Sequence, residues 1–599
     1  MTSELIDLWR FFLAVGCAIY TIPYMKIKRD NGFSSAENGG VSRRAFIGTT
    51  LSGSAALLTG GLAAFAPRST SAGTSGSWIE ATIPDLQAAM SSGALTSAQL
   101  TTNYLTQIAN LNPLLHAVIE TNPDALAIAK ARDKERSRGQ LRGPLHGIPI
   151  LVKDNVATFD KMQTTAGSLA LVGSTVPSDS VIVNRLRAAG AVILGKSNLS
   201  EWANFRGNAP FNGWSARGGF TRDPYLLSFD PCGSSSGSAS ATAANLCAAS
   251  VGTETDGSIV CPSGNNLVVG LKPTVGLVSQ DGIIPISHSQ DTAGPMCRTV
   301  TDAAIMLGVM QSPFGEVTGV KVPSDYTQFL KVGSLKGARI GVDSRYFSTA
   351  FGGEHDLVNV AQKGLDAMAA LGATLVPTDT GNPFQNNFKF YNDEFTVLLY
   401  EFKVQIAQYL ATLGNTSMRT LADLIAFDIA HCPEEMKYFG QQVFELAQQT
   451  SGNLTDAAYL NARKANLTFA RTNGIDAALK KDNLDAIVAP SYSYASSLAA
   501  VAGYPNISIP VGLTPEGKPA GLWMYSGFLK EPKLLALAYD LEQSIKPRVQ
   551  PGFLGTVPPE PADAGICATL APTTTSSPTL LADGTAQTSR HLGTGKPLQ

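Results

Sequence analysis

Short apolar runs bounded by Gly, Pro or Lys recur along the middle of the chain. Runs of this kind are typical of strands buried in a sheet. They cover residues 148–152, 191–194, 338–342, 372–376, 484–488 and 507–511. Segments 179–189 and 355–371 lie between members of this series, and their patterns predict helices. The alternation of strands and helices predicts an α/β sheet.

Helical patterns dominate two further regions. Residues 80–140 contain the spacing Thr96-x-x-Gln99 just before Leu100, which is typical of a capping box at the start of a helix. Residues 380–480 are also predicted to be helical, and they carry no recognisable motif.

The two ends of the chain differ from the middle. Within residues 1–77, Arg43-Arg44 is followed by a Gly/Ala-rich apolar run and by Thr70-Ser71-Ala72. This succession resembles a twin-arginine export signal with a small-residue cleavage site. It predicts export to the periplasm or beyond the cell; the alternatives are a membrane-anchored or a cytoplasmic protein. Residues 556–599 are rich in Pro, Thr and Ser, and they predict a mostly disordered tail.

Residues 231–262 form the most unusual stretch. Ser234-Ser235-Ser236 is flanked by glycines, and Gly257-Ser258 follows after an Ala-rich segment, 238–251, whose composition favours a helix. A Gly/Ser-rich run is usually a flexible linker. The apolar segment that follows argues against that interpretation. Glycines let the backbone turn sharply, and serines supply hydroxyls that can attack a substrate.

A lysine ends one of the predicted buried strands. Lys153 follows the apolar run 148–152 and precedes Asp154 and Asn155. Burial of an ammonium group is costly unless the group is paired or neutral, so a strand that ends in this way is uncommon. The alternative is a surface lysine at the end of a strand.

Together these pieces resemble the amidase signature family of serine amide hydrolases. The resemblance covers roughly residues 80–545. Its pieces are Gly143-Pro144-Leu145-His146-Gly147, Val152-Lys153-Asp154, Gly195-Lys196-Ser197-Asn198, Gly233-Ser234-Ser235, Gly237-Ser238, Gly257-Ser258-Ile259, Gly270-Leu271-Lys272-Pro273, Asp291-Thr292-Ala293-Gly294-Pro295 and Ala502-Gly503-Tyr504-Pro505. Cys232 and Ser236 stand where most members have glycine, and Val260 stands where many have arginine. The sequence thus resembles the branch of bacterial peptide amidases.

The resemblance implies one large catalytic domain, here residues 78–555, with a mixed central β-sheet covered on both faces by α-helices. It also implies a mechanism in which Ser258 is the nucleophile and Lys153 is the base. Ser234, which follows a cis peptide bond in the family, relays the proton. The oxyanion hole is expected from the backbone amides of Thr255, Asp256, Gly257 and Ser258. His146 is expected to be a structural hydrogen-bonding residue.

Some further residues are candidates for contact with the substrate. Arg206, Trp214 and Arg217 lie in a polar and aromatic loop before the serine run, and Ser236 lies within the run. The expected substrate is a C-terminal peptide amide or a small acyl or aryl amide.

Composition excludes several other functions. The formal net charge of −2 and the lack of a basic patch argue against a nucleic-acid partner. No cofactor or metal ion is implied, since the six histidines are scattered and the seven cysteines lack C-x-x-C spacing. Buried free thiols are expected at Cys232, Cys247, Cys261 and Cys297. Stable membrane insertion of the mature domain is not expected, and the oligomeric state is open.

Two alternatives to an amidase remain at this stage. One is an amidotransferase subunit, which would need a partner chain and a nucleotide-linked substrate. The other is a catalytically inactive binding protein on the same fold, which the presence of Lys153, Ser234 and Ser258 argues against.

Overall fold

The computed structural model describes residues 78–312, 320–349 and 353–570. The predicted export signal, its cleavage site at 70–72 and residues 571–599 lie outside the described residues. Within those residues the main sheet has eleven strands: β1 (Val118–Thr121), β2 (Pro149–Lys153), β3 (Val192–Ser197), β6 (Ala249–Glu254), β7 (Val269–Lys272), β8 (Thr292–Cys297), β9 (Arg339–Val342), β10 (Thr374–Pro377), β11 (Ala486–Pro490), β12 (Asn506–Leu513) and β13 (Pro519–Tyr525). A separate hairpin joins β4 (Trp214–Ser215) and β5 (Gly219–Phe220).

The sheet is mixed, as the resemblance implies. Its strand order is β1-β3-β2-β6-β8-β7-β12-β13-β11-β9-β10. Strands β3, β2 and β6 are parallel neighbours at one side, and β11, β9 and β10 are parallel at the other. Antiparallel pairs join these two groups through β8, β7, β12 and β13.

Helices cover both faces of the sheet. The helices are α1 (Ile83–Ser92), α2 (Ser97–Leu115), α3 (Ala125–Ser137), α4 (Val181–Ala188), α5 (Ser236–Ala243), α6 (Val260–Asn265), α7 (Val300–Met310), α8 (His355–Ala370), α9 (Gln385–Thr412), α10 (Leu421–Ala430), α11 (Cys432–Glu435), α12 (Gln442–Gln449), α13 (Ala457–Leu467), α14 (Asp476–Lys481), α15 (Ser496–Ala502), α16 (Glu531–Ile545) and α17 (Ile566–Thr569). A π-helical segment, Thr468–Ile475, links α13 to α14. None of the described helices combines the length and the apolar character that a membrane crossing requires.

Alternating side chains of the central strands pack into two separate hydrophobic cores. Leu522 of β13 packs into a core with α1, α2, α7, α8 and α16. Its neighbour Trp523 packs into a second core, to which α9, α10, α12, α14 and α15 contribute. Successive side chains of a strand point to opposite faces, so the sheet is buried on both sides.

The strands and helices predicted from the apolar runs are confirmed. The run 148–152 corresponds to β2, 191–194 to β3 and 507–511 to β12, while the predicted helices correspond to α4 and α8. The helix expected over the Ala-rich segment 238–251 is wrong in its second half, because α5 ends at Ala243 and β6 begins at Ala249. Pairing of β6 with β2 and β8 outweighs the helical preference of alanine there.

Two disulfides correct the expectation of buried free thiols. Cys232 is bonded to Cys261, and Cys432 is bonded to Cys567. Cys247 and Cys297 are buried free thiols, as predicted. Cys567 lies in the part of the segment 556–599 that the structure describes, in helix α17.

Candidate active site

The parallel pairing of β2 and β6 fixes one edge of the site. Val152 pairs with Val251, so Lys153 at the end of β2 lies beside the last residues of β6. Glu254, which ends β6, pairs with Thr292 at the start of the antiparallel strand β8. The carboxyl ends of β2 and β6 and the loop before β8 therefore meet at the same edge.

Lys153 is completely buried. Its Nζ lies 2.7 Å from Ser234 Oγ, 2.9 Å from Thr253 Oγ1 and 3.3 Å from the carbonyl oxygen of Thr253. Burial lowers the pKa of Lys153 to about 7, although the carboxylates of Asp291 and Glu254 act in the opposite direction. The sequence-based prediction that burial depresses this pKa is confirmed. A neutral amine has two N–H groups and one lone pair. The N–H groups can donate to the two oxygens of Thr253, and the lone pair can accept the proton of Ser234.

The carboxylate next in sequence to Lys153 points elsewhere. Asp154 accepts hydrogen bonds from Thr165 Oγ1 at 2.5 Å and from the Gly167 amide at 3.1 Å. It also pairs with Arg217 at 3.2 Å. Asp154 therefore does not hold the lysine in its charged form by direct contact.

Ser234 and Ser258 lie on two turns that are adjacent in space. The peptide bond between Gly233 and Ser234 is cis, and a Cβ at Gly233 would lie 2.2 Å from Ser200 Oγ. Any larger residue there would have to displace the hydroxyl of Ser200. Gly257, just before Ser258, has a positive φ of 76°, which favours glycine. The amide of Ser235 donates to the carbonyl of Ser258 at 3.2 Å, which brings the turns together.

A buried carboxylate supports the Ser258 turn. Glu254 Oε2 accepts hydrogen bonds from the amides of Ile259 at 2.7 Å and Val260 at 3.0 Å. Burial raises the pKa of Glu254, and Lys272 and these amides oppose the rise. The contacts fix the start of α6 directly after Ser258.

The segment 255–258 is held by its side chains. Thr255 Oγ1 donates to Asp291 at 2.6 Å, while Asp256 accepts from Ser496 at 2.8 Å and Ser497 at 2.5 Å. Among the backbone hydrogen bonds of the described residues outside helices and strands, none is donated by the amides of Thr255 to Ser258. These amides are the ones the resemblance proposes for the oxyanion hole. The Gly257 amide interacts with the carboxylate of Glu254. A hydrogen bond between the hydroxyls of Ser234 and Ser258 is not among those of the described residues; such contacts often tighten only when substrate binds.

The candidate substrate contacts are not brought to this edge as proposed. Arg206 is fully buried, pairs with Glu201 at 2.8 Å and donates to the carbonyl of Glu435 at 2.6 Å. Trp214 is buried in an aromatic cluster with Tyr438 and Phe439. Neither side chain is among those that line the cavity at the end of β6.

The other two loop candidates also contact protein groups. Arg217 pairs with Glu120 as well as with Asp154. The hydroxyl of Ser236 donates to the carbonyl of Cys232 at 2.5 Å, and this serine is buried. His146 bonds the backbone of Arg132 through Nε2 at 2.9 Å, as expected of a structural histidine.

Sequence reasoning missed three residues that the fold brings to Lys153: Thr253, Glu254 and Asp291. The motif that begins at Asp291 was a usable signal. Thr253 and Glu254 follow directly on the segment 238–251, whose composition favours a helix, so no pattern marks them as the end of a strand.

Comparison with known proteins agrees with this geometry. The Amidase family profile matches residues 99–535. The chain belongs to the amidase family.

Two relatives illustrate its place in that family. A probable amidase of Arabidopsis thaliana is 42% identical over 484 residues, covering 79% of this chain and 92% of the relative. The crystal structure of a peptide amidase from Stenotrophomonas maltophilia superposes with a TM-score of 0.73 at 48% identity, covering 80% of this chain and 99% of the other. The chain is thus an amide hydrolase with the fold of the peptide amidases.

A more distant relative is part of an amidotransferase. This glutamyl-tRNA(Gln) amidotransferase subunit from Thermosynechococcus vestitus is 33% identical over 476 residues, covering 75% of this chain and 95% of the relative.

Proposed function

We propose that this amidase hydrolyses linear carboxamides through an acyl-enzyme on Ser258, releasing ammonia or an amine. One observation carries the proposal: a buried lysine with a pKa of about 7 lies 2.7 Å from a serine hydroxyl beside the Ser258 turn. A serine hydroxyl is a weak nucleophile until a base takes its proton. Lys153 is the base in this reaction, and Ser234 relays the proton.

The proposed cycle uses the same three side chains in both directions. Neutral Lys153 takes the proton of Ser234 as Ser234 takes that of Ser258, and Ser258 attacks the amide carbon. The amides of Thr255, Asp256, Gly257 and Ser258 stabilise the oxyanion. Reversal of the relay protonates the leaving nitrogen, and a water molecule then releases the acid by the same steps.

The substrate we propose is a C-terminal peptide amide or a small acyl or aryl amide. Two observations support it: the likeness to the peptide amidase of Stenotrophomonas maltophilia, and a small cavity at the end of β6. Apolar side chains line one part of this cavity, namely Ala203, Ile283, Ile284, Pro285 and Ile286, and polar residues line the rest, namely Asn155, Thr253, Glu254, Thr255, Gln280, Asp291 and Thr292. The apolar part favours an apolar side chain next to the amide that is cleaved.

A panel of amidated peptides tests the proposal. Ammonia release is measured with Leu, Phe, Asp and Lys at the amidated C-terminus, and with short aliphatic and aryl amides. We expect the highest kcat/KM for the apolar residues, with the free-acid peptides as blanks. Ammonia release from none of these amides would contradict the proposal.

The same panel addresses the two alternatives. An amidotransferase subunit would release ammonia from glutamine, with a partner chain, rather than from peptide amides. An inactive binding protein would not react with a fluorophosphonate probe at Ser258, whereas the proposed enzyme is labelled there.

We also propose that the enzyme is exported, because its two disulfides are typical of proteins of oxidising compartments. Cleavage after Ala72 would leave Gly73 as the first residue. Mass spectrometry of the protein from its native host tests this, and active protein that retains residues 1–72 would contradict it.

A further inference from the structure

The disulfide Cys232–Cys261 joins the two serine turns. Cys232 lies two residues before Ser234 and Cys261 lies three residues after Ser258, with their Cα atoms 5.9 Å apart. We propose that this disulfide positions the reaction: it holds the Ser258 turn against the Lys153–Ser234 pair, so that the rate of acylation depends on it. The inference rests on the proposed function and names two residues that the mechanism itself does not use.

The backbone conformation of Cys232 is the first argument. Its φ is 53°, in the left-handed region that favours glycine. A cysteine therefore costs conformational energy at this position that glycine would not. The side chain must form an interaction that glycine cannot provide, and the interaction it forms is the bond to Cys261. Both cysteines are completely buried, so the bond belongs to the interior of the site.

The second argument is the set of contacts around the disulfide. Asn266, at the end of α6, donates its side-chain amide to the carbonyl of Pro231 at 2.9 Å. Asn265 donates in the same way to Asp230 at 2.8 Å. The segment before Ser234 is thus tied to the end of the helix that follows Ser258. Close to the serines, the link is the 3.2 Å backbone bond from Ser235 to Ser258. The disulfide supplies the covalent tie between these two regions.

The chemistry explains why this tie matters. Proton relay requires donor and acceptor atoms within about 2.6–3.2 Å of each other. Lys153 and Ser234 already meet that condition at 2.7 Å. The relay also requires the hydroxyl of Ser258 to lie close to that of Ser234, and Ser258 belongs to a different part of the chain. A displacement of about 1 Å between reacting groups can cost on the order of a hundredfold in rate.

The experiment compares two pairs of cysteine substitutions. The test variant is Cys232→Gly with Cys261→Ala, since glycine suits the positive φ at 232. The matched control is Cys432→Ser with Cys567→Ser, which removes the other disulfide and none of the residues of the serine turns. Both are assayed at 25 °C with an amidated peptide, and active sites are counted by complete fluorophosphonate labelling.

We expect the test variant to lose at least about tenfold in kcat while KM stays within about twofold, in line with the cost of misplaced reacting groups. The rate of fluorophosphonate labelling should fall in parallel. The pH at which activity rises should not move, because the surroundings of Lys153 are unchanged. The control should keep kcat within about twofold. A folded test variant with the wild-type kcat and labelling rate would overturn the proposal.

If the test variant does not fold, a second measurement tests the proposal without it. The Cys432→Ser, Cys567→Ser protein is reduced in denaturant, refolded, and then treated with glutathione disulfide. Each glutathione disulfide that is consumed forms one protein disulfide and two glutathione thiols. Activity should rise in step with formation of the Cys232–Cys261 link. Peptide mass mapping follows this link and separates it from any link to Cys17, Cys247 or Cys297. Full activity in the refolded, reduced protein would refute the inference. A wild-type protein that is inactive and not labelled would instead refute the proposed function, and the inference with it.

Discussion

The Nζ of Lys153 lies 2.7 Å from the Oγ of Ser234, and both side chains are completely buried. Without water around it, the lysine cannot keep its proton as easily as a surface lysine does. No carboxylate among the described residues forms a salt bridge with it. The contact therefore joins an amine whose pKa of about 7 lies near physiological pH, the proposed base, to the hydroxyl proposed to relay the proton. Substitutions at this pair and in its surroundings should change activity in specific ways.

Replacement of Ser258 by alanine should abolish turnover and leave the fold intact. Removal of a nucleophile typically lowers kcat on the order of 10⁴-fold or more. Ammonia release by the purified variant measures the effect. Ser240→Ala is a matched control, because Ser240 is a buried serine of α5 that bonds the carbonyl of Arg222. Near-normal activity of Ser258→Ala would show that Ser258 is not the nucleophile.

The pH dependence of kcat/KM should follow the ionisation of Lys153. Its pKa of about 7 means that the lone pair is available above that pH and is lost below it. Activity should therefore rise with pH through about 7 and persist into alkaline solution. The measurement is a pH profile of the wild type with an amidated peptide.

A histidine base, with its ordinary pKa of about 6.5, would give a similar profile, so variants must decide between the two. Lys153→Ala should remove most activity and flatten the rise. His146→Ala should leave its position unchanged, since that ring bonds the backbone of Arg132. If His146→Ala abolished the rise and Lys153→Ala kept it, the lysine mechanism would be wrong.

Neutralisation of Asp291 should move the same rise to lower pH. The negative charge of Asp291 favours the protonated form of Lys153, so its pKa falls when that charge is removed. Asp291→Asn keeps the size of the side chain. The exposed Asp366 of α8 provides the control, and Asp366→Asn should leave the profile where the wild type has it. A shift to higher pH in Asp291→Asn would contradict the electrostatic argument.

Arg206 should prove important for stability rather than for substrate binding. It is fully buried against Glu201, and removal of one partner of such a pair costs about 3–5 kcal/mol. Arg206→Met should lower the free energy of unfolding by that order in urea denaturation, with KM near the wild-type value. The double variant Arg206→Met, Glu201→Gln should regain part of the loss, because it also removes the carboxylate that pairs with Arg206. A large rise in KM with unchanged stability would indicate instead that Arg206 contacts the substrate.

The sequence alone determined the family, the α/β class and the three residues proposed for the chemistry. The α/β class follows from apolar runs of strand length, whereas the family and the three residues come from the resemblance of the glycine–serine and strand-end lysine motifs to the amidase signature. The order of these motifs along the chain could be read without coordinates.

Only the tertiary structure decided what surrounds those residues. The pairing of β2 with β6 places Thr253 at Lys153, and the antiparallel strand β8 brings Asp291 to the same edge. Likewise, the fold buries Arg206 and Trp214 and joins Cys232 to Cys261. These partners are distant in sequence, so no periodicity records them. Their proximity arises from strand pairing and close packing, which act between segments that only the folded chain brings together.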